Sequence, residues 1–83
     1  MENSFRLSII SSEKVIYSAE VLSLVVPGEL GFMGILANHA PLVAHLGKGI
    51  MTVREKGAGE PRTFDSSGDG FIEVLKNNVT VIV

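Results

Sequence analysis

The sequence predicts an all-β fold, a two-sheet antiparallel sandwich, and three observations carry that prediction. Apolar residues recur with a period of two, as in Phe5, Leu7 and Ile9 set between Arg6 and Ser8. Turn residues separate the apolar runs at intervals of roughly 8–12 positions, the spacing of a sandwich or barrel. No window combines apolar spacing at i, i+3, i+4 and i+7 with helix caps.

The elements follow in order. Phe5 to Ile9 reads as an opening strand, and Val15-Ile16-Tyr17 as a short β-branched and aromatic run. Val21 to Val26 is a separate run, expected to stop at the turn dipeptide Pro27-Gly28. A short apolar piece, Gly31 to Leu36, comes next. Asn38-His39-Ala40-Pro41 reads as a corner, because a residue before proline is pushed away from helix. Pro41 to Leu46 follows and ends at Gly47. Ile50 to Glu55 and Arg62-Thr63-Phe64 flank Gly57-Ala58-Gly59-Glu60 and read as a hairpin. Asp65 to Gly70 is read as a turn cluster, Phe71 to Leu75 as a strand, and Lys76-Asn77-Asn78 as a tight turn into Val79–Val83.

With 83 residues the chain is read as one domain, residues 1–83. A domain of this size buries only about 60–65% of the surface its unfolded chain exposes. Nothing covalent reinforces it, since there is no cysteine, and no zinc site can use thiolates. The apolar fraction of 46% suits a filled core or a surface that expects partners. No apolar run reaches the 18 positions of a spanning helix. The opening residues Met1 to Arg6 lack the basic and apolar regions of a signal peptide. Seven basic and nine acidic residues are spread along the chain, so no basic footprint for nucleic acid exists.

Catalytic patterns are missing as well. His39 and His45 have no carboxylate between them that could complete a metal site. Gly47-Lys48-Gly49 and Gly57-Ala58-Gly59 lack the third glycine and the following helix of a phosphate loop, and both are read as hairpin turns. Asp65-Ser66-Ser67-Gly68-Asp69-Gly70 opens like a calcium loop. The twelfth position, which should be a bidentate glutamate, is Lys76. Glu13, Glu20, Glu29 and Glu73 stand singly, as solvated surface carboxylates do. The residues therefore indicate a binding module that is not an enzyme and uses no cofactor, metal or small-molecule substrate.

One long stretch is more specific. Val26 to Leu42, VPGELGFMGILANHAPL, closely resembles the signature of the epsilon subunits of F-type ATP synthases. Phe5 to Glu13 resembles that family's opening strand and turn, and Gly70 to Val74 with Asn78 to Val81 its closing hairpin. The resemblance covers nearly the whole chain. It implies a sandwich of about ten strands. It also implies a rotor-stalk role in ATP synthesis, in which the domain joins the gamma subunit to the ring of c subunits. The mitochondrial counterpart is called delta. The place implied is peripheral, at the cytoplasmic face of the inner or plasma membrane. An unrelated β-sandwich interaction module is the alternative.

By the same resemblance, Ser11, His39 and Leu42 match gamma-facing positions. Glu29, Leu30, Gly31, Phe32 and Met33 match the loop that touches the c-ring. Apolar Leu30, Phe32 and Met33 on an exposed loop would suit an interface. Three departures stand out. Phe32 replaces a glutamate common in the family. Ala37-Asn38 replaces a proline-glycine pair, at a place where asparagine tolerates a left-handed backbone. Gly68-Asp69-Gly70 replaces paired glycines and suggests a one-residue bulge or insertion. The family's C-terminal helical hairpin, inhibitory and in some bacteria ATP-binding, has no counterpart in these 83 residues. A natural end at Val83 would imply that both properties are lost.

Overall fold

The computed structural model describes residues 3–12 and 14–83; Met1, Glu2 and Glu13, the last expected as a surface carboxylate, lie outside them. Eight strands form: β1 (Phe5–Ser11), β2 (Lys14–Gly28), β3 (Gly31–Leu36), β4 (Leu42–His45), β5 (Lys48–Glu55), β6 (Arg62–Ser67), β7 (Phe71–Leu75) and β8 (Asn78–Ile82). They bond in the order β4-β7-β8-β1-β2-β5-β6, and β3 pairs with β2 off this path.

Strand β2 makes the sandwich. Its residues from Lys14 to Val21 pair with β1, and those from Ser23 to Gly28 pair with β3. The register slips between Ile9 and Ile10 against β1, and between Val21 and Ser23 against β5. Such irregularities bend a strand. Here they let one strand serve two layers, and the layers fold onto one core. Phe5, Leu7 and Ile9 of β1 fill it with Leu24, Val26, Ile35, Met51, Val53, Ile72 and Val81, all nearly or fully buried. Each comes from the inward parity of its strand, as period two requires.

The all-β sandwich expected from the sequence is present, and several details differ. Eight strands are found among the described residues where the resemblance implied about ten, and Val15–Tyr17 and Val21–Val26, read as two runs, are parts of the one strand β2. The ladder is not wholly antiparallel, since β1 and β8 run parallel. Their connection spans most of the chain, so no short hairpin dictates direction. Pro27-Gly28 is not the turn after the second run: both are paired, with Phe32 and Gly31, as the last residues of β2, and the turn falls on Glu29-Leu30. Asp65 to Ser67 belongs to edge strand β6, with Asp65 and Ser67 exposed, so only Gly68 to Gly70 connects onward. No bulge interrupts the pairing of β6 or β7. Lys48 and Gly49 lie in β5, so that glycine pair is not a hairpin turn.

Candidate functional site

The β2–β3 hairpin ends in a two-residue tip, Glu29-Leu30, closed by the pair Gly28 and Gly31. Gly31 has a φ of 133°, a conformation side chains disfavour. Leu30 is fully exposed and Phe32 is 69% exposed. Met33 differs from the expectation for it. It alternates to the other side of β3 and packs against the core. Between this tip and Val43–His45 of β4 lies an open hollow of about 440 Å³.

The second feature is the corner between β3 and β4. His39 N donates to Leu36 O at 3.2 Å, which closes a turn with Asn38 in the left-handed region at a φ of 65°. Asparagine is one of the few side-chain-bearing residues that enter this region readily, so the substitution for glycine keeps the turn. His39 Nδ1 lies 2.7 Å from Ala40 O. A carbonyl only accepts, so Nδ1 carries the proton in this contact. His39 is half-buried, and Leu42 packs beside the core.

Facing the corner is the β7–β8 turn, Lys76-Asn77. Both residues have positive φ, 50° and 61°. Asn38 N donates to Asn77 Oδ1 at 2.6 Å, and Asn77 Nδ2 donates to Asn38 Oδ1 at 3.2 Å. The two turns wall a shallow hollow of about 340 Å³ lined by Asn38, His39, Ala40, Pro41, Lys76 and Asn77.

His39 and Leu42 are thus together, and Ser11 is not with them. Ser11 ends β1, whereas the corner sits near the start of β1, where Arg6 N donates to Asn77 O. Five residues of strand separate Arg6 from Ser11, ~17 Å at ~3.3 Å per residue. Ser11 and Leu42 lie on the core-facing parity of their strands, with Ile9 and beside Val74 respectively, so both reach solvent at the margins of the sheet and not on its outer face, the outer face of β4-β7-β8-β1 being a separate surface. That face carries an apolar row at the Ser11 end: Phe71, Ile82, Ile10 and Val15 stand opposite one another in successive strands. Val43 and Leu75 add exposed apolar area to the same face.

A third feature is a polar cluster that joins β2, β5 and β6. Tyr17 donates its hydroxyl to Glu55 Oε2 at 2.5 Å, and Arg62 Nη1 lies 3.7 Å from the same oxygen. The Arg62 guanidinium sits 5.3 Å from the Tyr17 ring centre, and the Phe64 ring packs at 5.0 Å from it. Partial burial and the Glu55 carboxylate push the Tyr17 pKa up to about 12. A phenol held this firmly in its neutral form is a structural donor. Among the described residues no three His, Asp or Glu side chains gather as a metal site would require.

Residues 4–83 match the family model described as ATP synthase, Delta/Epsilon chain, beta-sandwich domain. The chain belongs to this family. It is 48% identical over 80 residues to an ATP synthase epsilon chain of Leptospira interrogans, covering 96% of this chain and 61% of that one. It is 41% identical over 78 residues to the epsilon chain of Pelotomaculum thermopropionicum, covering 93% and 55% respectively. The chain therefore spans about three-fifths of the length of these epsilon relatives. Among solved structures, a chain of the Euglena gracilis mitochondrial ATP synthase assembly of OSCP, F1 and c-ring superposes with a TM-score of 0.88 at 27% identity, covering 96% of this chain and 50% of that one. A chain of the Tetrahymena thermophila mitochondrial ATP synthase central stalk and c-ring shares the fold, with a TM-score of 0.75 at 16% identity, covering 94% of this chain and 61% of that one.

Within this delta/epsilon sandwich, Asn77, the outer apolar row and the Tyr17 cluster were not singled out from sequence. The row had a signal: Phe71-Ile72-Glu73-Val74-Leu75 is apolar on both parities, and a strand with two apolar faces needs cover on both. Asn77 had none, because its partner is 39 residues away.

Proposed function

We propose that this chain is a non-catalytic coupler in the central stalk of a rotary ATP synthase, joining the gamma subunit to the ring of c subunits during ATP synthesis driven by proton or sodium flow. The observation that carries the reading is the apolar hairpin tip. Leu30 and Phe32 project into solvent from a short-looped delta/epsilon sandwich. Such residues on a rigid hairpin suit a protein interface, since they bury area on binding with little ordering cost. The Euglena gracilis relative comes from an assembly that includes a c-ring, which supports a c-ring partner, and the resemblance of the loop assigns Glu29 to Met33 to that contact. Phe32 makes the contact apolar where a glutamate would make it polar. Ser11, His39 and Leu42 form the gamma-facing side in this reading.

The coupler works by stiffness. Torque passes through it only if the two contact surfaces keep their relative position. One strand, β2, runs from the Ser11 end of the first layer to the hairpin tip. Backbone ladders on both of its edges resist shear between those ends. The protein in this reading is peripheral at the cytoplasmic face of the plasma or inner membrane, held through its partners, and it acts on no nucleic acid, cofactor or small-molecule substrate.

Calorimetric titration of the chain with the gamma subunit of the same organism tests the proposal, beside a doubly substituted His39→Ala, Leu42→Ala variant whose folding is checked by its melt. Saturable one-to-one binding, weakened in the variant, is expected. A folded chain that does not bind gamma overturns the reading.

A further inference from the structure

The corner that carries His39 is weakly held by its own backbone. Between the end of β3 at Leu36 and the start of β4 at Leu42, the backbone–backbone bonding among the described residues is the single contact from His39 N to Leu36 O. Pro41 has no N–H to offer. Left to itself, such a segment samples several conformations.

The opposing turn is held much better. Lys76-Asn77 closes the β7–β8 hairpin between the paired residues Leu75 and Asn78. Arg6 N ties it to β1 through Asn77 O at 3.0 Å. Two consecutive positive φ values mark a type I′ geometry, in which glycine serves the second position best. Asn77 meets the backbone demand no better than glycine would. What it adds is a carboxamide, and both ends of that group are used on Asn38. The bond from Asn38 N is short, at 2.6 Å, and it satisfies a backbone donor of the corner itself.

We propose that Asn77 is the positioning residue of the His39 corner: from the β7–β8 turn its carboxamide fixes the Asn38 backbone, and so presents His39 and Leu42 to the partner in one arrangement. The inference rests on the coupler reading for the identity of that partner, the gamma subunit. It explains why a corner with one backbone bond can serve as a contact in a part that must not give. The hollow between the two turns is then preformed before binding, and less ordering cost falls on association.

The test uses the 83-residue chain and three variants. Asn77→Gly keeps the left-handed turn and deletes both bonds. Asn38→Gly keeps its own left-handed backbone and deletes only the bond from Asn77 Nδ2. Asn77→Asp keeps an oxygen acceptor for Asn38 N and serves as the rescue. Amide exchange at Asn38 and His39, followed by NMR, should accelerate roughly two- to tenfold in Asn77→Gly, the range expected for losing one net hydrogen bond. Exchange in β1, β7 and β8 should stay unchanged. Titration with gamma should weaken by a similar roughly two- to tenfold, less in Asn38→Gly, with binding largely restored in Asn77→Asp. Unchanged corner exchange in Asn77→Gly overturns the positioning role, whatever binding does. Faster exchange with unaltered gamma affinity overturns its link to binding. A wild-type chain that fails to bind gamma overturns the coupler reading before any substitution is made, whereas corner exchange in Asn77→Gly reads the positioning role independently of that failure.

Discussion

The hydroxyl of Tyr17 donates to Glu55 Oε2 at 2.5 Å, joining β2 to the last residue of β5. This contact favours the neutral phenol over the phenolate. Burial contributes most, the hydrogen bond and the negative charge of Glu55 add to it, and Arg62 opposes it. The sign of the consequence is fixed by linkage. Since the folded pKa, about 12, lies above the ordinary 10.0, the unfolded chain releases the proton first. The contribution is present in full below pH ~10 and is lost as the pH rises towards ~12. Thermal melts from pH 9 to 12 should therefore fall more steeply for the wild type than for Tyr17→Phe. Parallel curves would mean the contact is too solvated to matter.

Gly70 sits where nothing larger fits. A Cβ built on it overlaps the carbonyl of Ile82 in the neighbouring strand, and the Leu46 amide bonds to the Gly70 carbonyl at 2.9 Å. Backbone meets backbone there, so no side chain can swing away. Gly70→Ala must push β8 off β7 or shift the turn, and it should cost ~3 kcal/mol or more, among the severe single substitutions. Gly59→Ala, in the β5–β6 turn with open space around it, serves as the control. Urea melts should separate the two clearly, and equal midpoints would contradict the packing around Gly70.

The alternation in β1, β5 and β7 was legible because each keeps one parity inward along its whole length. Strand β2 was not, for a physical reason. Ser18-Ala19-Glu20 puts no large apolar residue between Tyr17 and Val21, so the strand reads as two runs, and the slip that turns both Val21 and Leu24 to the core lies inside the second of them. Edge strand β6 was misread over Asp65 to Ser67, because an edge tolerates polar residues that otherwise signal turns. The hairpin tip was found through its resemblance to a family, and its outward Phe32 follows from alternation with Met33, which pairs with core Val26. The clip between Asn38 and Asn77 has no local pattern, and only the fold brings its halves together.

The hairpin tip separates contact from stability. Leu30 and Phe32 are exposed, whereas Met33 packs on the core and leans over Gly28. Leu30→Ser and Phe32→Ser should therefore leave the melting midpoint within ~0.5 kcal/mol of the wild type. Met33→Ala should cost ~1–3 kcal/mol, below the full-burial range because Met33 is only half-buried. In the coupler reading the ranking reverses for association with a detergent-solubilised c-ring. The two serine variants should bind more weakly than Met33→Ala, as measured by surface-immobilised titration. A serine variant that melts early would mean its side chain folds onto the sandwich in solution.

Adjacent serines in β6 give the sharpest contrast. Ser66 is 4% exposed, and its Oγ donates to Gly47 O at 2.8 Å while accepting from Gly68 N at 3.3 Å. Ser67, one residue on, faces solvent and has only a long 3.4 Å contact from Asp69 N. Removing the Ser66 hydroxyl deprives the Gly47 carbonyl, at the junction where β4 passes into β5, of its side-chain donor. The Gly47 amide is held separately, donating to Pro27 O at 2.7 Å, so the backbone should stay in place and leave its carbonyl under-satisfied. A half-buried carbonyl left this way costs ~1–2 kcal/mol. In a domain of this size that is a fall of roughly 5–15 °C in Tm. Ser67→Ala should stay within ~0.5 kcal/mol. Differential scanning calorimetry of the two alanine variants decides it: a Ser66→Ala midpoint equal to that of Ser67→Ala would mean that water replaces the hydroxyl, and that β6 is held by its ladder to β5 alone.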